Sequence, residues 1–184
     1  MEQVSPLHAG LLEKLESGKA ELLALHKGLR GHPDNVPLFR KEWSYNQHVD
    51  HIVLSERILV GRLRDASSPY VAPSGVAGLK PRVVSFILRN GIKVPVPVPE
   101  VVPGPSREFA ELEKDWDETR VQLKKAVENL SSAPGSLLVF THPTAGPKDV
   151  AGTLQFMADH LTYHRVRVKR LINAAYHHAK AYGI

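Results

Sequence analysis

Residues 44–65, SYNQHVDHIVLSERILVGRLRD, limit the possible folds more than any other stretch of this chain. They open on Ser44-Tyr-Asn-Gln47, a capping box in which the Ser44 hydroxyl accepts from the N3 amide and Gln47 reaches back. Beyond the cap, Val49, Ile52, Val53, Leu54, Ile58, Leu59, Val60 and Leu63 place apolar groups nearly all round a helix. A helix with so little polar face is buried among other helices, as in a bundle.

The partners are legible from the same periodicity. Leu7, Leu11, Leu12, Leu15, Leu22, Leu23, Leu25 and Leu29 recur at helical spacing over residues 6–29, and Gly28, Gly31 and Pro33 end that run. A third helix is predicted over 106–130, with Phe109, Leu112, Trp116, Leu123, Ala126, Val127 and Leu130 inward. A fourth is predicted to open at Pro147 and run to about Ala179, with Val150, Leu154, Met157, Leu161, His164, Val168, Leu171 and Ala175 as its inner stripe. SSAPGS separates these two, and LLVFTHPTAG reads as a short irregular apolar connection.

Residues 67–105 hold eight of the fourteen prolines. A short helix is plausible at LKPRVVSFILRN, with Pro81 near its first turn. In KVPVPVPEVVPGP, alternate prolines forbid both a helix and a central strand, so an extended polyproline-like arm is expected. The arm reads as a crossover along the bundle, and as a lid or dimer contact. The expected architecture is therefore all-α, a single domain over residues 1–184. It is a four-helix bundle with a long proline-rich crossover between its second and third helices.

The absence of cysteine excludes disulfides, a cysteine nucleophile and a thiolate metal site, and it suits a reducing cytoplasm. No basic start with a continuous apolar run marks a signal peptide, and no apolar run would span a bilayer, so a cytoplasmic protein without a membrane partner is expected. Glycine-rich phosphate loops, a dinucleotide fingerprint and a G-x-S-x-G elbow are all missing from the sequence. The net charge of +5 is modest. Arg165, Arg167, Lys169, Arg170 and Lys180 crowd the last helix, but with no recognised motif they read as a solvated face and not as a nucleic-acid surface.

Chemistry concentrates in the ten histidines. His8, His26 and His32 lie in or beside the first helix and His177 and His178 near the end, and these five read as solvated; His142 precedes a proline in a connection. His160 and His164, in DHLTYH, lie about 40° apart around a helix, with Cβ atoms about 5–6 Å apart, so they can share one metal ion. The second helix offers His48 or His51 as a third imidazole. His48 sits in the first turn, where it can pack on Trp43, and His51 lies deeper. Three neutral nitrogens with open positions are the ligand set of a catalytic rather than a structural site. Glu56 falls on the apolar stripe and needs a partner. It can pair with an arginine of another helix, or orient a ligating imidazole from outside the ligand set. About 140° from His51, it would not bind the same ion directly.

At these residues the chain resembles the DinB-like superfamily, including the YfiT-type metal-dependent hydrolases. WSYNQHVDHIVLSE resembles the family's second-helix pattern, KVPVPVP its extended segment, HPTAGPKDVAGTL the stretch leading into its last helix, and HLTYH its closing pair. The resemblance assigns the metal ligands to His51, His160 and His164 and places Glu56 at the family's acidic position. It implies a four-helix bundle holding a divalent metal (nickel, zinc or iron) and, commonly, a homodimer. It further implies an enzyme that activates water or a low-molecular-weight thiol for hydrolysis or transfer on a small-molecule substrate. Glu56 is the candidate general base. The alternative is a non-catalytic metal- or ligand-binding bundle with a stress-related or structural role.

Overall fold

A computed structural model describes residues 4–72, 80–92, 98–130 and 136–182. Among the described residues five α-helices carry the fold: α1 (Pro6–Ala24), α2 (Tyr45–Arg64), α3 (Lys80–Arg89), α4 (Phe109–Leu130) and α5 (Val150–Tyr182). The four long ones form the expected bundle, in which α1 packs along α5 and α2 lies between α4 and α5. Leu15 and Leu22 of α1, Ile52 and Leu63 of α2, Leu112, Trp116 and Leu123 of α4, and Leu154, Met157 and Leu161 of α5 are almost wholly buried and fill the centre.

Local chemistry sets the helix starts. Ser5 caps α1, its hydroxyl accepting from the His8 amide at 3.3 Å, and Pro6 takes the first helical position. The Ser44 capping box is complete: Ser44 Oγ accepts from Gln47 N at 3.1 Å and Gln47 Oε1 accepts from Ser44 N at 3.0 Å. The first helical run does not stay α-helical to residue 29. It tightens into a 3-10 turn at Leu25–Leu29, and the chain reverses through Arg30 and Gly31, both at positive φ.

Three sequence expectations are corrected at the connections. The third long helix begins at Phe109, not at 106. Pro147 does not open the last helix. It lies in a short strand, and the Asp149 carboxylate caps α5 by accepting from the Gly152 amide at 2.7 Å. The connection before α5 is ordered into two small antiparallel ladders: β1 (Ser68–Pro69) pairs with β2 (Leu137–Leu138), and β3 (Phe140–His142) forms a hairpin with β4 (Gly146–Lys148). That hairpin turns at Gly146, whose φ of 70° is open to glycine at no steric cost.

Of the proline-rich arm, 93–97 lie outside the described residues, as do 131–135 of the SSAPGS break. The arm's end is pinned to the start of α2. Gln47 donates to the Gly104 carbonyl at 3.2 Å, Asn46 donates to the Arg107 carbonyl at 2.8 Å, and Pro99–Val101 form a 3-10 turn with Val101 buried against the bundle. Helix α3 leans on α5 through Arg89, whose Nε donates to Asp159 at 2.7 Å, and through Ser85, which also donates to Asp159.

Candidate metal centre

The rotation of α2 that buries Val49, Ile52 and Val53 in the core turns His51 towards α5, where His160 and His164 project one helical turn apart. The three rings meet. His51 Nε2 lies 3.1 Å from His160 Nε2, and His164 Nε2 lies 3.1 Å from the same atom. One nitrogen from each of the three falls within 4.8 Å of the others, a spacing that could hold a metal ion. Two imidazole nitrogens bound to one ion at about 2.0–2.1 Å would stand about 2.8–3.4 Å apart at octahedral or tetrahedral angles. The two separations that share His160, 3.1 Å each, fit that range.

Hydrogen bonding around the cluster fits a metal better than a set of mutual hydrogen bonds. His51 Nδ1 lies 2.6 Å from the Val101 carbonyl. A carbonyl only accepts, so Nδ1 carries the proton and His51 Nε2 is a bare lone pair. His160 Nε2 then faces two other Nε2 atoms with at most one proton of its own. On the far side of His164, Nδ1 lies 2.9 Å from His48 Nδ1. If that contact is donated by His164, its Nε2 is also a lone pair, and with the His160 proton on Nδ1 all three nitrogens present electrons to one point. A cation relieves that repulsion.

Burial keeps these rings neutral, the ligating form. It pushes His160 and His164 well below the ordinary histidine value, and the neighbouring imidazoles push in the same direction. His51 is lowered by burial, with the Val101 hydrogen bond acting against it. His48 is lowered to about 3 by burial first, then by Arg167 and His51. Its Nε2 is buried with no hydrogen-bond partner among the described residues. Trp43 covers the group, its ring parallel to His164 at 6.3 Å and tilted over His51 at 5.0 Å.

The cluster opens into a cavity of about 1060 Å³, walled by Ile58, Leu59, Val139, Phe140 and Phe156 and edged by Lys41, Arg62 and Arg167. Arg167 is paired with Glu42 at 2.7 Å. Open volume beside convergent nitrogens leaves room for a molecule to approach an ion from one side.

Glu56 is not brought to the imidazoles. Its Oε1 accepts from Arg120 at 2.8 Å and its Oε2 from Trp116 at 2.9 Å, fully inside the α2–α4 contact. Burial raises its carboxyl above the ordinary value, against the pull of Arg120. These contacts support the ion-pair reading of Glu56 and give the general-base reading no geometric footing. Among the surface histidines, His26 is tied in more firmly than expected: it stacks on Phe109 at 4.7 Å and hydrogen-bonds to Asp34 at 3.1 Å. Three features of the site escaped the sequence. His48 backs His164, Val101 orients His51 through a main-chain atom that no side-chain pattern encodes, and His142 lines the cavity from a segment read as irregular.

No curated protein and no solved structure gives a significant match to the chain. The sequence model of the DinB superfamily matches residues 11–166, which include all three converging histidines and run from Leu11 in α1 to Val166 in α5. The chain belongs to the DinB superfamily.

Proposed function

We propose that this protein is a metal-dependent enzyme acting on a small molecule, with a divalent ion held by His51, His160 and His164. The observation that carries the reading is the meeting of three Nε2 atoms, two contacts of 3.1 Å sharing His160, at the wall of a large open cavity. A divalent ion on three neutral nitrogens keeps its full charge and supplies Lewis acidity, lowering the pKa of a coordinated water or low-molecular-weight thiol. The chain's own residues do the rest. Val101 fixes the His51 tautomer, His48 meets His164 Nδ1 at 2.9 Å from behind, and Trp43 and Phe156 pack against the cluster. Nickel, zinc and iron(II) all suit imidazole ligands.

The reaction class is hydrolysis or thiol transfer. Glu56, as the ion-paired partner of Arg120, is left out of the chemistry. The protein is further read as a cytoplasmic homodimer; among the described residues no helix is long and apolar enough to cross a membrane. The direct test is turnover by the protein loaded separately with zinc, nickel and iron(II). Its substrates would be a panel of esters and amides, and of electrophiles offered with a thiol. Turnover that disappears in His164→Ala is expected. Full metal loading with no turnover in either panel would instead support a non-catalytic metal-binding bundle.

A further inference from the structure

His142 is a polar group of the cavity that neither the imidazole cluster nor the ion pairs use. It ends β3, where the chain turns through residues 143–146. Its Nδ1 accepts from the Ala145 amide at 3.0 Å and the Thr144 amide at 3.2 Å, and the Thr144 hydroxyl lies 3.1 Å from the same nitrogen. Amides only donate, so Nδ1 is the lone-pair nitrogen and the proton of the neutral ring sits on Nε2. No hydrogen-bond acceptor for that Nε2–H is found among the described residues. The ring is oriented by Phe156, which packs against His142 at 4.8 Å and stacks nearly parallel to His160 at 6.0 Å. His142 and the three converging histidines therefore line one cavity, with the Phe156 ring in contact with both His142 and His160.

Burial, and then the nearby Lys148 ammonium, lower His142 from its ordinary value, so the neutral ring prevails near pH 7. A neutral imidazole whose lone pair is occupied by two amides is a poor base. It remains a hydrogen-bond donor, aimed by a turn instead of by a flexible side chain.

We propose that His142 is a substrate-binding donor whose Nε2–H takes a carboxylate or carbonyl oxygen at the end of the ligand remote from the metal. The inference rests on the metal reading for one end of that ligand and on the 143–146 turn for the other. The wall between the two ends is aromatic, formed by Phe156 with Phe140 beside it. The ligand class this favours is a short molecule with an apolar middle and oxygen acceptors at both ends.

Two measurements test it. His142→Asn places an amide oxygen where Nδ1 stood, able to accept from the same turn amides as an Asx turn does, and removes Nε2–H. Long-range proton–nitrogen NMR of the metal-free protein at pH 7, assigned with that variant, should show His142 as the Nε2–H tautomer. An Nδ1–H tautomer would overturn the proposal whatever the metal does. In the Co(II)-loaded protein, visible absorption would follow titration with succinate and with butyrate. Wild type should prefer succinate, and His142→Asn should take up the same Co(II) but bind succinate about tenfold more weakly, the worth of about one hydrogen bond. His142→Gln, with an amide donor at the reach of Nε2, should recover most of the loss. Equal succinate affinity in wild type and His142→Asn would overturn the assignment. Failure of wild type to take up Co(II) would sink the metal reading and with it the metal-anchored end of the ligand, while the tautomer would still decide whether the turn presents His142 as a donor.

Discussion

At the scale of residues, the roles of His48 and Glu56 separate cleanly. His48 sits 2.9 Å from His164 Nδ1 and reaches no position that could join the ligand set. Replacing it with Phe keeps a ring against Trp43 but removes the nitrogen that hydrogen-bonds His164 Nδ1. Metal affinity should fall about 10–100-fold, as for other groups that orient a ligand, while one ion per chain is still reached at saturation. Calorimetric titration with zinc checks this, and an unchanged affinity would mean that His48 only packs. Glu56→Gln should do the reverse. It should leave zinc affinity within error and destabilise the fold by about 1–3 kcal/mol, because Arg120 would lose its buried partner and keep only the more exposed Glu16, at 3.4 Å, as counter-charge. A denaturant melt and the same titration read both halves. The sequence placed His51, His160 and His164 by helical spacing and by family resemblance. It did not show which hydrogen bonds set their tautomers, because those depend on a main-chain carbonyl fifty positions from His51 and on a second imidazole.

At the scale of elements, the helices were far more legible than the connections. Apolar periodicity and the Ser44 cap found α2 to within a residue, since burial on nearly all sides leaves a strong pattern. The ladders around β1–β4 are two or three residues long, too short for any periodicity to mark them. Pro147 suggested a helix start because proline suits that position, but the Asp149 carboxylate is the better cap and moves the start on to Val150. Helix α3 ends in a Schellman motif: Ile92 N donates to the Ile87 carbonyl at 3.2 Å and Gly91 N to the Leu88 carbonyl at 3.0 Å. Gly91 has a φ of 59°, and a Cβ there would stand 2.7 Å from Val166 of α5. Gly91→Ala should therefore cost about 1–2 kcal/mol from the left-handed backbone alone. Hydrogen exchange should speed up across α3 while α5 stays protected, and equal protection of α3 in both proteins would contradict this account of its docking.

At the scale of the whole molecule, the buried imidazoles tie stability to pH and to metal. His48, His51, His160 and His164 all have lowered values in the fold, so the unfolded chain binds more protons than the folded one below about pH 6.5. In the metal-free protein their contribution is intact above that pH. It is lost as the pH falls, at a slope of about 1.4 kcal/mol per pH unit for each ring still neutral in the fold. Thermal melts of the EDTA-treated protein between pH 8 and pH 5 should show a falling Tm below pH 6.5, and a flat Tm would contradict the buried cluster. Bound metal should add about 2.7 kcal/mol at a hundredfold excess over its Kd.

The central claim is that three histidines from two helices form one metal site, and elemental analysis of the untagged purified protein beside His160→Ala tests it most directly. About one divalent metal per chain, lost in the variant while helix content stays the same, is the result expected. No metal in the wild-type chain, even after reconstitution with zinc, nickel and iron(II), would contradict it.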